Sequence, residues 1–110
     1  MANFYFTYGS DKQFPYQNGY SKIIAEDIQE ACRLFNAVHP KRKGSGCMNC
    51  AFYYNEVQWN SWDSKLKIYY PCFEVIRVVY LTPASNNNPE PYIAVTPIAS
   101  NEVIVEFYGN

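Results

Sequence analysis

The 110 residues, 48% hydrophobic and 18% aromatic with 11 tyrosines, suit a single domain spanning 1–110. They exclude whole-chain disorder, because that much apolar surface offsets the entropy of ordering. A net charge of −1 excludes a global field for nucleic acid or anionic membrane, so any such binding would need a local patch. No stretch reaches the roughly 20 apolar residues of a membrane-spanning helix. The opening Met1-Ala2-Asn3-Phe4 lacks the basic and long apolar parts of a secretory signal. A cytoplasmic protein is therefore expected, with Cys32, Cys47, Cys50 and Cys72 as reduced thiols or metal ligands.

In chain order, residues 3–8 predict a strand, with Phe4, Phe6 and Tyr8 on one face and Tyr5 and Thr7 on the other. Residues 9–19 are dense in turn formers, and Asn18-Gly19 is the dipeptide used where both φ values are positive. Tyr20–Ala25 then predicts a second strand pairing back on the first. A helix is expected over 27–38: Asp27 and Glu30 have capping-box spacing, and Ile28, Ala31, Cys32, Phe35 and Val38 form one apolar stripe. The acids at its start suit the helix dipole. His39-Pro40 ends it, since the residue before proline is driven out of the α region. Lys41, Arg42 and Lys43 follow, then the flexible Gly44-Ser45-Gly46.

Residues 47–62 fit strand or helix, and their 55–62 part fits a short helix or a lid-like loop. Residues 68–70 could open a strand. Cys72–Leu81 is the strongest strand, its Val75, Ile76, Val78 and Val79 suiting a central position at least partly covered on both faces. Residues 82–91 carry Pro83, three asparagines and Pro89-Glu90-Pro91, and predict an exposed connector. Two more strands, 92–96 and Glu102–Tyr108, joined through 97–101, make a C-terminal hairpin over 92–108. The expected fold is α+β, an antiparallel-rich sheet of about five strands with one principal helix on one face. Glu102–Tyr108 is expected at a sheet edge, able to pair with a copy of itself as a homodimer.

Four chemistries are open to such a chain. For nucleophilic catalysis the only histidine is His39, at a helix end; pairing with Cys50 or Cys72 is conceivable, but no third orienting residue can be named. His39 is better read as a helix cap or a backbone partner. For metal, Cys47-x-x-Cys50 is half a zinc site, which Cys72 and either Cys32 or His39 would have to complete; buried free thiols are the simpler reading. For nucleic acid, Lys41, Arg42 and Lys43 lie near Tyr53, Tyr54, Trp59 and Trp62, but Glu56 and Asp63 dilute the patch and no RNA-binding motif is present. For protein recognition, the residues Tyr53, Tyr54, Glu56, Trp59, Trp62 and Asp63 form an aromatic, acidic segment lying between elements. Tyrosine and tryptophan supply rigid contact area with a polar handle, and this reading is preferred. No catalytic residue and no cofactor is expected.

An ordered set of short motifs carries a resemblance. Phe6-Thr7-Tyr8-Gly9-Ser10-Asp11, Phe14-Pro15-Tyr16, Gly19-Tyr20, His39-Pro40, Asn49-Cys50-Ala51 with Tyr54 and Glu56, and Cys72-Phe73-Glu74-Val75-Ile76 together resemble small proteins encoded by bacteriophages and prophages of gut bacteria. The likeness spans residues 4–78. It departs at Phe73, where the family pattern has histidine, and near Met48, where the pattern has an aliphatic residue; the pattern does not require Cys47. The resemblance implies a viral anti-defence protein of the host bacterial cytosol. It would be a non-catalytic, anti-CRISPR-like inhibitor that binds a CRISPR effector or another immunity protein. Candidate acids for competing with a nucleic-acid channel are Asp11, Glu56, Asp63, Glu74, Glu90, Glu102 and Glu106. The rival expectations are a small-ligand binder that sequesters a nucleotide signal and a zinc-stabilised nucleic-acid accessory protein.

Overall fold

The computed structural model describes residues 1–44, 46–61, 70–81 and 92–108. The elements are β1 (Ala2–Thr7), β2 (Tyr20–Ala25), α1 (Ile28–Val38), β3 (Phe52–Asn55), α2 (Glu56–Asn60), β4 (Cys72–Leu81), β5 (Tyr92–Ala99) and β6 (Glu102–Tyr108). They form an α+β domain with one six-stranded sheet in the order β3-β1-β2-β4-β6-β5. β1 pairs antiparallel with both β2 and β3, and β5 with β6. β4 runs parallel to both of its neighbours, β2 and β6. The sheet is thus mixed, with three of its five pairings antiparallel, and has six strands and a second, short helix where about five strands and one principal helix were expected. Strand patterning reports burial, and burial does not reveal the direction of a neighbour.

Alternation along β1 decides the layers. Phe4, Phe6 and Tyr8 point into the layer under α1, where they join Ile23, Ala25, Ala31, Leu34, Phe35, Ile76 and Val105 in the core. Phe6 stacks on Phe35 with ring centroids 4.7 Å apart. Leu34 lies outside the apolar stripe expected for the helix and is nevertheless fully buried. The helix begins as its sequence predicts: Asp27 caps it by accepting from the Glu30 amide at 2.8 Å. The Glu30 carboxylate accepts from the Glu26 amide rather than from that of Asp27, so the reciprocal half of the capping box is displaced by one residue. At the other end His39 is extended (φ −127°, ψ 82°), as a residue before proline must be.

Three further expectations change. Asn18 has positive φ (59°) but Gly19 does not. Glycine is required at 19 for space, because a Cβ there would lie 2.3 Å from the Phe73 ring and 2.6 Å from the Pro71 carbonyl oxygen. Strand β5 runs on through Pro97, which an edge strand tolerates, and the turn falls at Ser100 and Asn101. Finally, β6 is an interior strand between β4 and β5, so the expected edge at Glu102–Tyr108 is corrected: among the described residues the edges are β3 and β5. The connector expected at 82–91 and residues 68–69 lie outside the described residues; Tyr70 is a bend. No helix among the described residues is long and apolar enough to cross a membrane.

Candidate functional site

Two places combine polar or aromatic groups in ways that packing alone does not require. The first is a polar chain buried beneath the C-terminal end of α1. Glu74, on β4, is 3% exposed, so it is removed from the set of surface acids expected to face a partner. Its Oε1 accepts from the Ser21 hydroxyl (2.8 Å) and lies 2.5 Å from His39 Nε2. Its Oε2 accepts from the Tyr16 hydroxyl at 3.3 Å, and Ser21 Oγ lies 2.5 Å from the Tyr8 hydroxyl. Burial pushes the Glu74 carboxyl up, but His39, Ser21 and Tyr16 outweigh it and hold the carboxyl below its ordinary value. His39 was expected to serve the helix end. Its amide does so, bonding to the Phe35 carbonyl, while its ring is committed to Glu74.

This chain of contacts does not match a nucleophile–base arrangement. The carboxylate lies between serine and imidazole, so Ser21 donates its hydrogen bond to Glu74 and the His39 ring bonds to that carboxylate rather than to the serine. Ser21 is also fully buried. The network locks α1 to β2 and β4, a use that buried polar groups serve when every member is bonded.

The second place is the edge built by β3 and α2. Of the segment expected to lie between elements, Tyr53 and Tyr54 lie on β3 and Glu56 and Trp59 on α2. Cross-strand register puts Tyr53 opposite Phe6 and Tyr54 opposite Tyr5, so the two tyrosines face opposite sides of the sheet. Tyr53 stacks on Phe6 (5.4 Å) and remains 46% exposed. Trp59 is corrected from partner contact to core residue: it is 6% exposed and stacks on Tyr5 at 4.7 Å and 7°, with Tyr20 at 4.9 Å. It fastens α2 to the sheet face opposite α1. Asn55 caps α2 by accepting from the Gln58 amide, and Gln58 returns the bond, a complete capping box. Glu56 occupies the first turn of α2, exposed, and accepts from Asn3 at 3.3 Å. Trp62 and Asp63, expected at the same surface, lie outside the described residues.

Sequence reasoning missed Phe52, 66% exposed on the edge strand, and Val57, 79% exposed on α2. The alternation Phe52, Tyr53, Tyr54 was the available signal, since it puts Phe52 and Tyr54 on one face once the run is a strand. These two rings, 6.3 Å apart, form one side of an open cleft of about 310 Å³ completed by Thr7, Gly9, Gly19, Ala51 and Tyr70. The described residues that line it carry no charge. Gly9, at φ 61°, turns the chain away at its rim.

The cysteines do not assemble a site. Cys50 is pushed up to about 12 by burial, with nearby Cys32 adding to the shift, and Cys32 is itself raised by burial. Cys47 is exposed. Among the described residues no group of three or more His, Cys, Asp or Glu side chains converges as metal ligands would. Of the basic run, Arg42 bonds to Gln13 and lies over the Phe14 ring (5.7 Å). Comparison with protein-family models, curated proteins and solved structures finds no match.

Proposed function

We propose that this chain is a non-catalytic binding protein that acts by occupying a partner's surface, with the β3 edge as its contact. One observation carries the reading: Phe52 and Tyr53 lie exposed on opposite faces of the same edge strand, and folding gains little from the Phe52 ring. Aromatic rings on rigid backbone are the groups that dominate protein interfaces. Glu56 and Tyr54 belong to the same edge, whereas Trp59 supports it from beneath. The buried serine and the carboxylate-bound histidine support a role without turnover.

The choice of partner rests on the sequence resemblance to small phage proteins: a bacterial immunity protein, foremost a CRISPR effector nuclease in the host cytosol. The test is co-elution of purified protein with such effectors, followed by nuclease assays over a range of ratios. The expected result is a stable complex and inhibition that saturates at stoichiometric protein. Joint Phe52→Ser and Tyr53→Ser substitution should weaken the complex by roughly tenfold or more. No association at about micromolar concentration removes the effector as target. Inhibition at far lower than stoichiometric amounts removes the non-catalytic reading.

A second reading, sequestration of a nucleotide signal, is favoured by the aromatic cleft beside Phe52 and Tyr54. It is the weaker of the two, because none of the described residues lining the cleft offers a cation to the phosphates.

A further inference from the structure

We infer that the β5 edge is the contact of a homodimer, in which two copies of this chain pair β5 to β5, antiparallel, across a twofold axis. The contact lies at the opposite end of the sheet from β3 and holds whatever β3 binds. β5 runs for eight residues against four in β3, and among the described residues its one sheet neighbour is β6. Its side chains stand open to solvent: Ile93 is 48% exposed, Val95 42% and Ile98 51%, and every position from 95 to 99 is exposed. Natural sheet edges avoid stray pairing chiefly by being short or by carrying charge. β5 does neither, since Tyr92–Ala99 holds no Asp, Glu, Lys or Arg.

Charge and register select a second copy as the cover. A strand opposed to itself across a twofold axis meets its own charges like against like, so self-pairing is cheap only for an uncharged strand. An axis normal to the sheet keeps the two faces apart, so odd-numbered residues oppose odd and even oppose even. The regular part of β5 ends at the irregularity after Pro97, and the run 93–97 is centred on Val95. An axis at that centre sets Val95 against its own copy and Ile93 against Pro97, apolar on apolar, on the face that carries α1. On the other face Ala94 meets Thr96, small on small. Pro97 has no N–H to give, which shortens the ladder and keeps the contact weak. One strand pair is also a small interface, so a dissociation constant on the order of 100 µM is expected. The pairing uses up β5 in both copies, closes the assembly at two and leaves a β3 edge free at each end of one continuous sheet.

The experiment is sedimentation equilibrium of the full-length protein from about 10 µM to about 1 mM, with reductant present so that exposed Cys47 forms no cross-link. The expected result is a mass that rises from one chain toward two and goes no further. Val95→Lys and Val95→Glu should each weaken the dimer by roughly tenfold or more, because the axis brings like charges together. Mixed in equal amounts, the two variants should recover it to within about threefold of the unsubstituted chain, a rescue that misfolded variants could not give. Phe52→Lys, at the other edge, should leave the dimer unchanged. Any one of these results overturns the homodimer at β5: a monomer throughout up to about 1 mM, Val95 variants that dimerise like the unsubstituted chain, a mixture no tighter than its parts, loss of the dimer in Phe52→Lys, or a mass that climbs past two chains. Because no partner protein is present, failure here leaves the β3 contact standing. Conversely, a dimer that forms through β5 survives the loss of any particular target at β3.

Discussion

Replacing His39 by alanine would leave the Glu74 carboxylate in a site that excludes water, with only two hydroxyl donors on its oxygens. Breaking a buried pair from one side costs about 3 kcal/mol or more, since the remaining charge stays desolvated. Chemical denaturation of His39→Ala should show that loss, and Glu74→Gln should lose less, because a neutral amide is cheaper to bury. The same carboxyl makes a pH prediction. Its native value lies below the ordinary 4.5, so its contribution is present above that value and is lost as pH falls through the lower native one. Stability measured as a function of pH should therefore drop on the acid side of 4.5, and Glu74→Gln should flatten that drop. The cysteines give a third test at this scale. With an excess of thiol reagent near pH 8, exposed Cys47 should label in the native protein, whereas Cys50 and Cys32 should require unfolding.

At the scale of elements, helix α2 shows how far a short helix depends on one contact. Isolated helices of this length do not form in water, so its existence depends on Trp59 stacking over Tyr5 and on the box between Asn55 and Gln58. Trp59→Ala should destabilise the domain by about 3 kcal/mol and remove the near-ultraviolet dichroism of the stacked pair. This element also shows what could be read in advance. The helix over 27–38 and the strands at Tyr20–Ala25 and Cys72–Leu81 were legible because each has a long apolar period with its own stop signals. The 52–60 run was not, for four strand residues and one turn of helix are shorter than either period needs. Trp59 was accordingly read as surface, since burial of a lone aromatic follows from what crosses above it. The Glu74 network was equally hidden: His39 and Glu74 are far apart in sequence, and a single acid in a strand carries no mark of its partner.

At the scale of the whole molecule, the sheet order separates two exposed edges with different chemistry. β3 offers aromatic rings and a cleft, whereas β5 offers Ile93, Val95 and Ile98, each partly exposed, with Pro97 interrupting its pairing groups. If the binding surface is β3, substitutions on the two edges should separate cleanly. Ile93→Lys should leave partner binding unchanged, while Phe52→Lys abolishes it, as surface plasmon resonance against the captured partner would read. The α+β class was legible in the sequence; the strand order was not, because it depends on long-range pairing that local patterns do not encode.

The interior position of β6 has a temporal consequence. Strand β4 follows one of its two parallel neighbours, β2, but takes the other from residues 102–108, after the entire hairpin partner β5 has been made. A growing chain on the ribosome therefore carries β4 with one flank open until β6 arrives, and pairings between strands not adjacent in sequence are slow to close. Among the described residues β5 pairs with β6 alone, so the two strands join β4 together as a hairpin with β6 innermost.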